Sequence, residues 1–448
     1  MASFELPCDD PNPISAGLYQ TDPWNRSPLF VVNERIVRSW REAHALLGPP
    51  TLEDVNPDFV RAIITQDFNS DISPYKNITR IPRFHYLLNS QSGHYRIYPY
   101  EPFKQGAPRM EESQLYDFIR EKIHLSLLNS IENSNSNIAC EHSSGLDSNA
   151  IMGSLLLGLG ISADRIHTVS WTGTVDDDYM SKIRRHFQLQ EKQCHEVDTS
   201  TTDSSFNEIA SRFNENLKVY GCPPQMGIYT NDSKILQRKN CALLFSGFGG
   251  DQALSHHGIN VGTDIASLRQ WKLFYSWYGS KSFPLKHFLS RSLAKRSAKW
   301  AKSKNKLTNA PKPKGRFDNL LVKTLTAAGF EWFNSDFELS YNWEYDGFSP
   351  QRTAIRNRVL SNYVSLRVED ESRSAQYFGI RKTFPLLDET LIATLLNQDP
   401  LLFCPSFKKS DYRSMIKNTF GDYYPSFFDE LVHKTRIPPG GYEAFMQK

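Results

Sequence analysis

One short segment has the residue types that could bind a pyrophosphate. Residues 138–140 form an apolar run typical of a strand, residues 143–145 form a polar turn, and a helical pattern starts near Asp147. Small residues let backbone N–H groups approach phosphate oxygens, the hydroxyls of Ser143 and Ser148 add donors, and a helix N-terminus favours an anion. A bare carboxylate would repel phosphate, so Asp147 implies an intervening Mg²⁺ ion. The alternative is an ordinary helix start capped by Asp or Ser.

A second segment repeats this arrangement about a hundred residues later. The apolar run 243–245 is typical of a strand, and a glycine-rich turn containing Gly247 follows it and ends on Asp251. A glycine-rich β-turn with a solvated aspartate is the alternative interpretation of this segment alone. Two such turns in one chain favour a shared site.

Together the two turns resemble motifs of the ATP-pyrophosphatase and asparagine synthetase families. The first is similar to the PP-loop Ser-Gly-Gly-x-Asp-Ser, with Ser144 replacing its first glycine and Gly145 matching its second. The second is similar to the Gly-Glu-Gly-Ala-Asp-Glu turn of the asparagine synthetases. The resemblance implies that ATP is bound by its phosphates, that Asp147 and Asp251 hold Mg²⁺, and that the backbone at Gly247 approaches the nucleoside.

Other segments extend the resemblance towards the C-terminus. The runs 165–171 and 195–197 resemble the second and third strands of the synthetase sheet, with Ser170 lining the adenine pocket. Lys409 matches the lysine of the Lys-x-x-x-Arg motif, which reaches the phosphates, and Lys434 matches the catalytic C-terminal lysine. A lysine is a compact, mobile cation suited to charge that develops during a reaction. Either lysine taken alone is also compatible with a solvated surface.

The resemblance predicts an α/β protein with two domains. Residues 1–112 would form a truncated, β-rich glutaminase-like domain of the Ntn type, and residues 113–448 a synthetase domain with a parallel sheet and helices. Ala2 follows Met1, where an active glutaminase needs a cysteine, and Cys8 is internal. The first domain is therefore predicted to be catalytically inactive. A linking helix is predicted near residues 113–132, since apolar residues recur there at three- and four-residue spacing.

Departures from the family pattern bear on which amide is made. Phe248 stands where asparagine synthetases have glutamate and β-lactam synthetases have tyrosine, and Arg381 and Thr383 replace the glutamate and arginine of a later motif. With residues 374–378, these features are most similar to the lasso peptide cyclases. That resemblance implies a macrolactam synthetase that adenylates an Asp or Glu side chain of a leader-cleaved precursor peptide. The peptide's own N-terminal amine then displaces AMP, and a leader peptidase or leader-binding protein would be a partner.

Three alternatives stay open at the level of sequence. The chain could be a small-molecule amide or β-lactam synthetase, an asparagine synthetase, or a non-catalytic scaffold that binds a precursor peptide. Glu369, Asp370 and Glu371 are candidate bases for the amine proton, although three consecutive acids are typical of a solvated helix face.

Composition favours a cytoplasmic enzyme without a membrane span. The 448 residues carry a net charge of +3, and the six cysteines include no Cys-x-x-Cys pair, which disfavours a disulfide scaffold or a zinc site. A basic insertion at about 279–316 contains twelve Lys and Arg and no acidic residue between positions 281 and 316. It is predicted to be either a solvated excursion or a docking surface for an acidic partner. Nucleic acid is not expected, since no recognition module is visible.

Overall fold

The computed structural model describes most of the chain in ten ranges. They are residues 17–59, 72–89, 95–103, 106–132, 136–171, 177–197, 230–258, 260–278, 350–406 and 409–426. Lys434 and the basic insertion at 279–316, for which sequence predictions were made, lie outside these ranges.

Two small antiparallel sheets form the N-terminal part of the described chain. One sheet has the order β1-β5-β6 and the other the order β3-β2-β4. Helix α1 (Trp40–Leu47) follows β3 and contacts the second sheet, and its Ser39 N-cap accepts a hydrogen bond from the Glu42 amide at 3.1 Å. The six strands are β1 (Gly17–Gln20), β2 (Phe30–Val32), β3 (Arg35–Val37), β4 (Thr79–Arg80), β5 (His85–Asn89) and β6 (Tyr95–Pro99).

A parallel five-stranded sheet forms the centre of the C-terminal part. Its order is β11-β10-β7-β8-β9, and every neighbouring pair is parallel. The α/β class predicted from the sequence is therefore confirmed. The strands are β7 (Asn137–Glu141), β8 (Ile166–Trp171), β9 (Cys194–Val197), β10 (Cys241–Phe245) and β11 (Arg381–Thr383).

The order of these strands reverses between β7 and β10. From β7 the chain winds outward through β8 to β9, and it then returns to the other side of β7 to add β10 and β11. In an open parallel sheet, ligands bind beyond the carboxyl ends of the strands at such a reversal. The two turns singled out in the sequence follow β7 and β10, so they lie at this place.

Helices cover both faces of the parallel sheet because residues on each strand alternate between two apolar cores. Ile138 and Cys140 belong to the larger core, whereas Ala139 belongs to a smaller core with Val169 and Leu236. The helices are α2 (Glu112–Ile131), α3 (Leu146–Gly153), α4 (Asp177–His186), α5 (Thr230–Arg238), α6 (Val261–Ser267), α7 (Trp271–Tyr278), α8 (Gln351–Val359), α9 (Asn362–Tyr377), α10 (Glu389–Leu395) and α11 (Ser414–Phe420).

The helix predicted near residues 113–132 is confirmed as α2. It buries Leu115, Ile119, Ile123, Leu127 and Ile131, which recur every four residues and pack into the larger core. Within the described ranges, none of the helices combines the length and apolar composition that crossing a bilayer requires.

A buried ion pair joins the N-terminal sheets to helix α9. Both guanidinium nitrogens of Arg80 lie 2.7 Å from the Glu369 carboxylate, and the two side chains are 1% and 2% exposed. Arg83 donates to Asn362 at 2.6 Å at the start of the same helix. The sequence expectation of a solvated acidic face at residues 369–371 is wrong, because all three acids are buried.

Candidate functional site

The serine-rich turn (residues 142–145) is held in shape by its own side chains and by Asn149. The hydroxyls of Ser143 and Ser148 lie 2.9 Å apart, and Ser143 Oγ accepts a hydrogen bond from the Gly145 amide at 3.1 Å. The fully buried Asn149 donates to the carbonyls of Ser143 and Gly145, both at 2.8 Å. These two hydroxyls, predicted as phosphate donors, are thus bonded within the turn. Asn149 was not singled out in the sequence.

The hydroxyls of two predicted site residues are buried without a hydrogen-bond partner in the described structure. Ser144 Oγ lies in the turn itself, and Ser170 Oγ lies near the carboxyl end of the neighbouring strand β8. Helix α3 begins at Leu146, and its N-cap residue Gly145 makes no side-chain hydrogen bond to the first turn. Unbonded buried hydroxyls and uncapped helix amides cost free energy unless a ligand or water satisfies them. Both serines were predicted ligand contacts.

The glycine-rich turn (residues 246–251) packs directly against the serine-rich turn and the start of α3. A Cβ atom at Gly247 would lie 2.7 Å from the Ser148 amide nitrogen. A Cβ atom at Gly250 would lie 2.1 Å from Asp147 Oδ1. Real Cβ contacts are essentially never so short, so a side chain at Gly247 would clash with the backbone of α3, and one at Gly250 would displace the Asp147 carboxylate. The structure thus brings the two predicted turns together, and it places Asp147 against the residue before Asp251.

Asp251 faces the segment that carries the predicted lysine motif. Its Oδ1 atom lies 2.7 Å from Arg413 Nη2, and both side chains are partly exposed. Lys409 begins a short 3₁₀ turn four residues earlier, but the placement of its side chain lies outside what the structure describes. Among the described residues, no three His, Cys, Asp or Glu side chains gather in a metal-binding group.

A buried ionic network lies behind the two turns. It comprises Glu141, Lys382, Glu371 and Arg367. The Lys382 side chain is 2% exposed, and its ammonium group forms an ion pair with Glu141. The same ammonium group lies 2.8 Å from Glu371 Oε2. Ser246 Oγ also donates to Glu141. The network therefore links the end of β7, the start of the glycine-rich turn, β11 and α9, and the sequence reasoning missed it.

The network ends at Phe248, the aromatic residue of the glycine-rich turn. Arg367 Nε donates to Glu371 Oε1 at 2.6 Å, and the guanidinium carbon lies 4.1 Å from the centroid of the Phe248 ring. Glu371 is thus bonded on both oxygens, by Lys382 and by Arg367. Burial alone would raise the pKa of Glu371, but these two cations lower it. Glu371 is therefore a poor general base, and Glu369, paired with Arg80, is similarly engaged.

Several pKa values near the turns are shifted by burial. Burial lowers the pKa of His142, whose ring lies 3.4 Å from Asn149, to about 4. Burial also raises the pKa of Asp232, near Lys382, to about 6. Burial and the charge of Asp147 raise the pKa of Tyr424 well above its usual value of 10. His142 is therefore neutral at pH 7 and can hold the turn without adding a positive charge.

No protein-family model matches the chain, and no curated protein matches it. The function assigned below therefore depends on the geometry of the two turns and on the motifs in their sequences.

Proposed function

We propose that this chain is an ATP-dependent, amide-bond-forming ligase whose two turns bind the phosphates of ATP. The observation that carries the proposal is the contact between Asp147 and Gly250 at the reversal of strand order. Two small-residue turns, each with a carboxylate, meet at the edge of a parallel sheet where ligands bind. The uncapped N-terminus of α3 offers backbone N–H groups to the same place.

The side chains around this contact fit a Mg²⁺-bound polyphosphate. Asp147 and Asp251 would hold the ion, since Mg²⁺–nucleotide sites use one or two carboxylates together with phosphate oxygens. When bound, Mg²⁺ neutralises negative charge on the pyrophosphate that leaves. The buried Ser144 and Ser170 hydroxyls, which lack partners among the described residues, fit the nucleotide as donors.

The proposed reaction has two steps, both at the substrate carboxyl group. In the first, a carboxylate oxygen bonds to the α-phosphorus of ATP, the bond from that phosphorus to the pyrophosphate oxygen breaks, and pyrophosphate leaves. In the second, an amine nitrogen bonds to the acyl carbon, and the bond from that carbon to the oxygen linked to phosphorus breaks. AMP leaves with that oxygen, and the amine nitrogen loses one proton. The α3 amides and Arg413 would stabilise phosphate charge, together with Lys409 and Lys434. Lys434 would also stabilise the oxyanion.

The amine in this proposal is the N-terminus of the same peptide, so the product is a macrolactam of the lasso peptide type. An amine tethered to the activated acyl group needs less help from the enzyme, because proximity raises its effective concentration. A reduced need for a general base agrees with the residues at the site. Phe248 has no acidic group, and Glu371 is paired with two cations. The N-terminal sheets would be a glutaminase-like domain, and a separate leader peptidase or leader-binding protein in the cytoplasm would deliver the precursor peptide.

The test uses the purified full-length chain with ATP, Mg²⁺ and linear peptides that have a free N-terminus and one internal Asp or Glu. We expect a product lighter by one water and equimolar AMP, with no ADP. Asp147→Ala should lower the rate at least about 100-fold, the scale of losing a charged group from a phosphate site. Asp164→Ala is the matched control, because Asp164 is an exposed aspartate at the opposite end of the sheet.

Other results would redirect or refute the proposal. AMP formation with small amino-acid acids alone would indicate a small-molecule amide synthetase. Formation of ADP would contradict adenylation, and equal rates for the two alanine variants would contradict the assigned phosphate site. Peptide binding that is unaffected by Asp147→Ala, with no turnover of ATP, would indicate a scaffold.

A further inference from the structure

Arg367 is a cation held in a fixed orientation beside the glycine-rich turn. Its guanidinium stacks on the Phe248 ring at 4.1 Å, Nε donates to Glu371 at 2.6 Å, and Nη1 donates to the Tyr363 hydroxyl at 3.3 Å. A planar guanidinium with three such contacts loses little further entropy when it binds a ligand.

The anchor behind Arg367 is buried, whereas Arg367 itself is partly exposed. The Glu371 side chain is 1% exposed and is bonded to Lys382 on its other oxygen at 2.8 Å, and Lys382 is bonded in turn to Glu141. The Arg367 side chain keeps 27% of its surface exposed. The network therefore fixes a guanidinium from the inside of the protein and presents part of it to the outside.

The position of Phe248 relates Arg367 to the proposed phosphate site. Phe248 follows Gly247, whose backbone lies against the Ser148 amide at the start of α3. Arg367 thus stacks on the ring of the residue that follows Gly247 in the glycine-rich turn. A substrate carboxylate must approach an α-phosphate that is itself negative, and the two anions repel each other. A fixed, partly exposed guanidinium beside the turn would offset that repulsion and attract the substrate carboxylate.

We infer that Arg367 binds the substrate carboxylate that is to be adenylated, and that it selects a peptide with an acidic side chain at that position. The inference rests on the proposed function, because it places the carboxylate next to the α-phosphate of ATP. A purely structural role for Arg367, as a partner of Glu371, makes a different prediction. It would weaken folding without changing the preference between acidic and neutral peptides.

The experiment measures binding without turnover. Fluorescently labelled linear peptides with a free N-terminus carry one internal Asp or Glu, or the matching Asn or Gln, and they bind the full chain in the presence of Mg²⁺ and α,β-methylene ATP. The wild type should bind the acidic peptide about 10- to 100-fold more tightly than its amide partner, the range for a charge-assisted hydrogen bond. Arg367→Met should reduce this ratio to about one, and Arg367→Lys should give an intermediate ratio.

Controls separate this inference from folding and from the proposed function. Arg373→Met removes the same charge from the same helix, where Arg373 pairs with Asp370, and it should keep the wild-type ratio. All three variants should bind the ATP analogue as the wild type does, and circular dichroism checks their folding. If Arg367→Met does not fold, Arg367→Lys carries the test. Wild-type discrimination in Arg367→Lys would then overturn the inference.

Two further outcomes are decisive. A folded Arg367→Met protein that still prefers the acidic peptide overturns the inference and leaves the proposed function standing. A wild type that binds the ATP analogue but does not prefer the acidic peptide has the same consequence. A wild type that does not bind the analogue at all overturns the proposed function itself.

Discussion

Replacing Lys382 with methionine should destabilise the protein strongly and in a pH-dependent way. Lys382 is buried between Glu141 and Glu371. Burial alone would lower the pKa of Lys382, but attraction to these two carboxylates outweighs it and raises the pKa above its ordinary value of 10.5. Methionine fills a similar volume without the charge, so the substitution leaves two buried carboxylates with one cation fewer.

The expected cost at pH 7 is about 3–5 kcal/mol in free energy of unfolding, the range for removing one partner of a buried ion pair. In a domain of 150–250 residues, 1 kcal/mol corresponds to about 2–4 °C, so the melting temperature should fall by roughly 6 °C or more. Buried carboxylates without a partner have a raised pKa in the folded state, and their destabilising effect therefore develops as pH rises. The deficit should be largest at pH 7 and should shrink towards pH 4.5.

Urea unfolding at pH 7 and pH 4.5 measures both parts of this prediction. Lys234→Met is the matched control, because Lys234 is an exposed lysine on helix α5, and its loss should change stability by less than about 0.5 kcal/mol. Adding Glu371→Gln to Lys382→Met should recover part of the loss, since it removes one unpaired charge. A deficit below 1 kcal/mol, or one that is the same at both pH values, would refute the assignment of Lys382 to a buried ionic network.

Two further predictions concern the turns themselves. Gly250→Ala should weaken the binding of Mg²⁺-ATP at least tenfold in a calorimetric titration, because the new Cβ would displace Asp147 Oδ1, 2.1 Å away. Gly421→Ala should be neutral, because a Cβ there meets nothing within 4 Å and its φ is −52°, so equal affinities of the two variants would contradict the close approach. His142, buried with a pKa of about 4 against 6.5 in its ordinary state, must remain neutral in the fold. Neutral His142 therefore contributes stability that is fully present above pH 6.5 and is lost as pH falls towards 4. The free energy of unfolding lost in this way by pH 5 is about 2 kcal/mol. His142→Gln should remove this part of the acid sensitivity in urea unfolding at pH 5 and 7.5, and an unchanged pH dependence in the variant would rule His142 out as its cause.

Local patterns in the sequence predicted the elements that position the site. The apolar runs 138–140 and 243–245, each followed by small residues, predicted two strands that end in turns, and both strands are present as β7 and β10. The four-residue spacing of apolar residues predicted α2. These predictions succeeded because each depends on residues that are neighbours along the chain.

The partners of the buried charges could not be found in this way. Glu141 and Lys382 are 241 positions apart in sequence, and Arg80 and Glu369 are 289 apart. A run of three acids and a lone lysine in a strand are ordinary surface patterns, and only the packing of α9 and β11 buries them. One signal could have indicated that Lys382 is buried. Lys382 lies just before the apolar run 384–387, and a charged residue so placed in a short strand needs a buried partner.

ATP–pyrophosphate exchange tests the central claim most directly, because it reports adenylation of a carboxylate before any amine reacts. With the full-length chain, Mg²⁺ and a linear peptide containing an internal Asp or Glu, labelled pyrophosphate should enter ATP, and Asp147→Ala should abolish this exchange while Asp164→Ala retains it. Exchange that persists in Asp147→Ala, or peptide-dependent ATP turnover that yields ADP instead of AMP, would contradict the account.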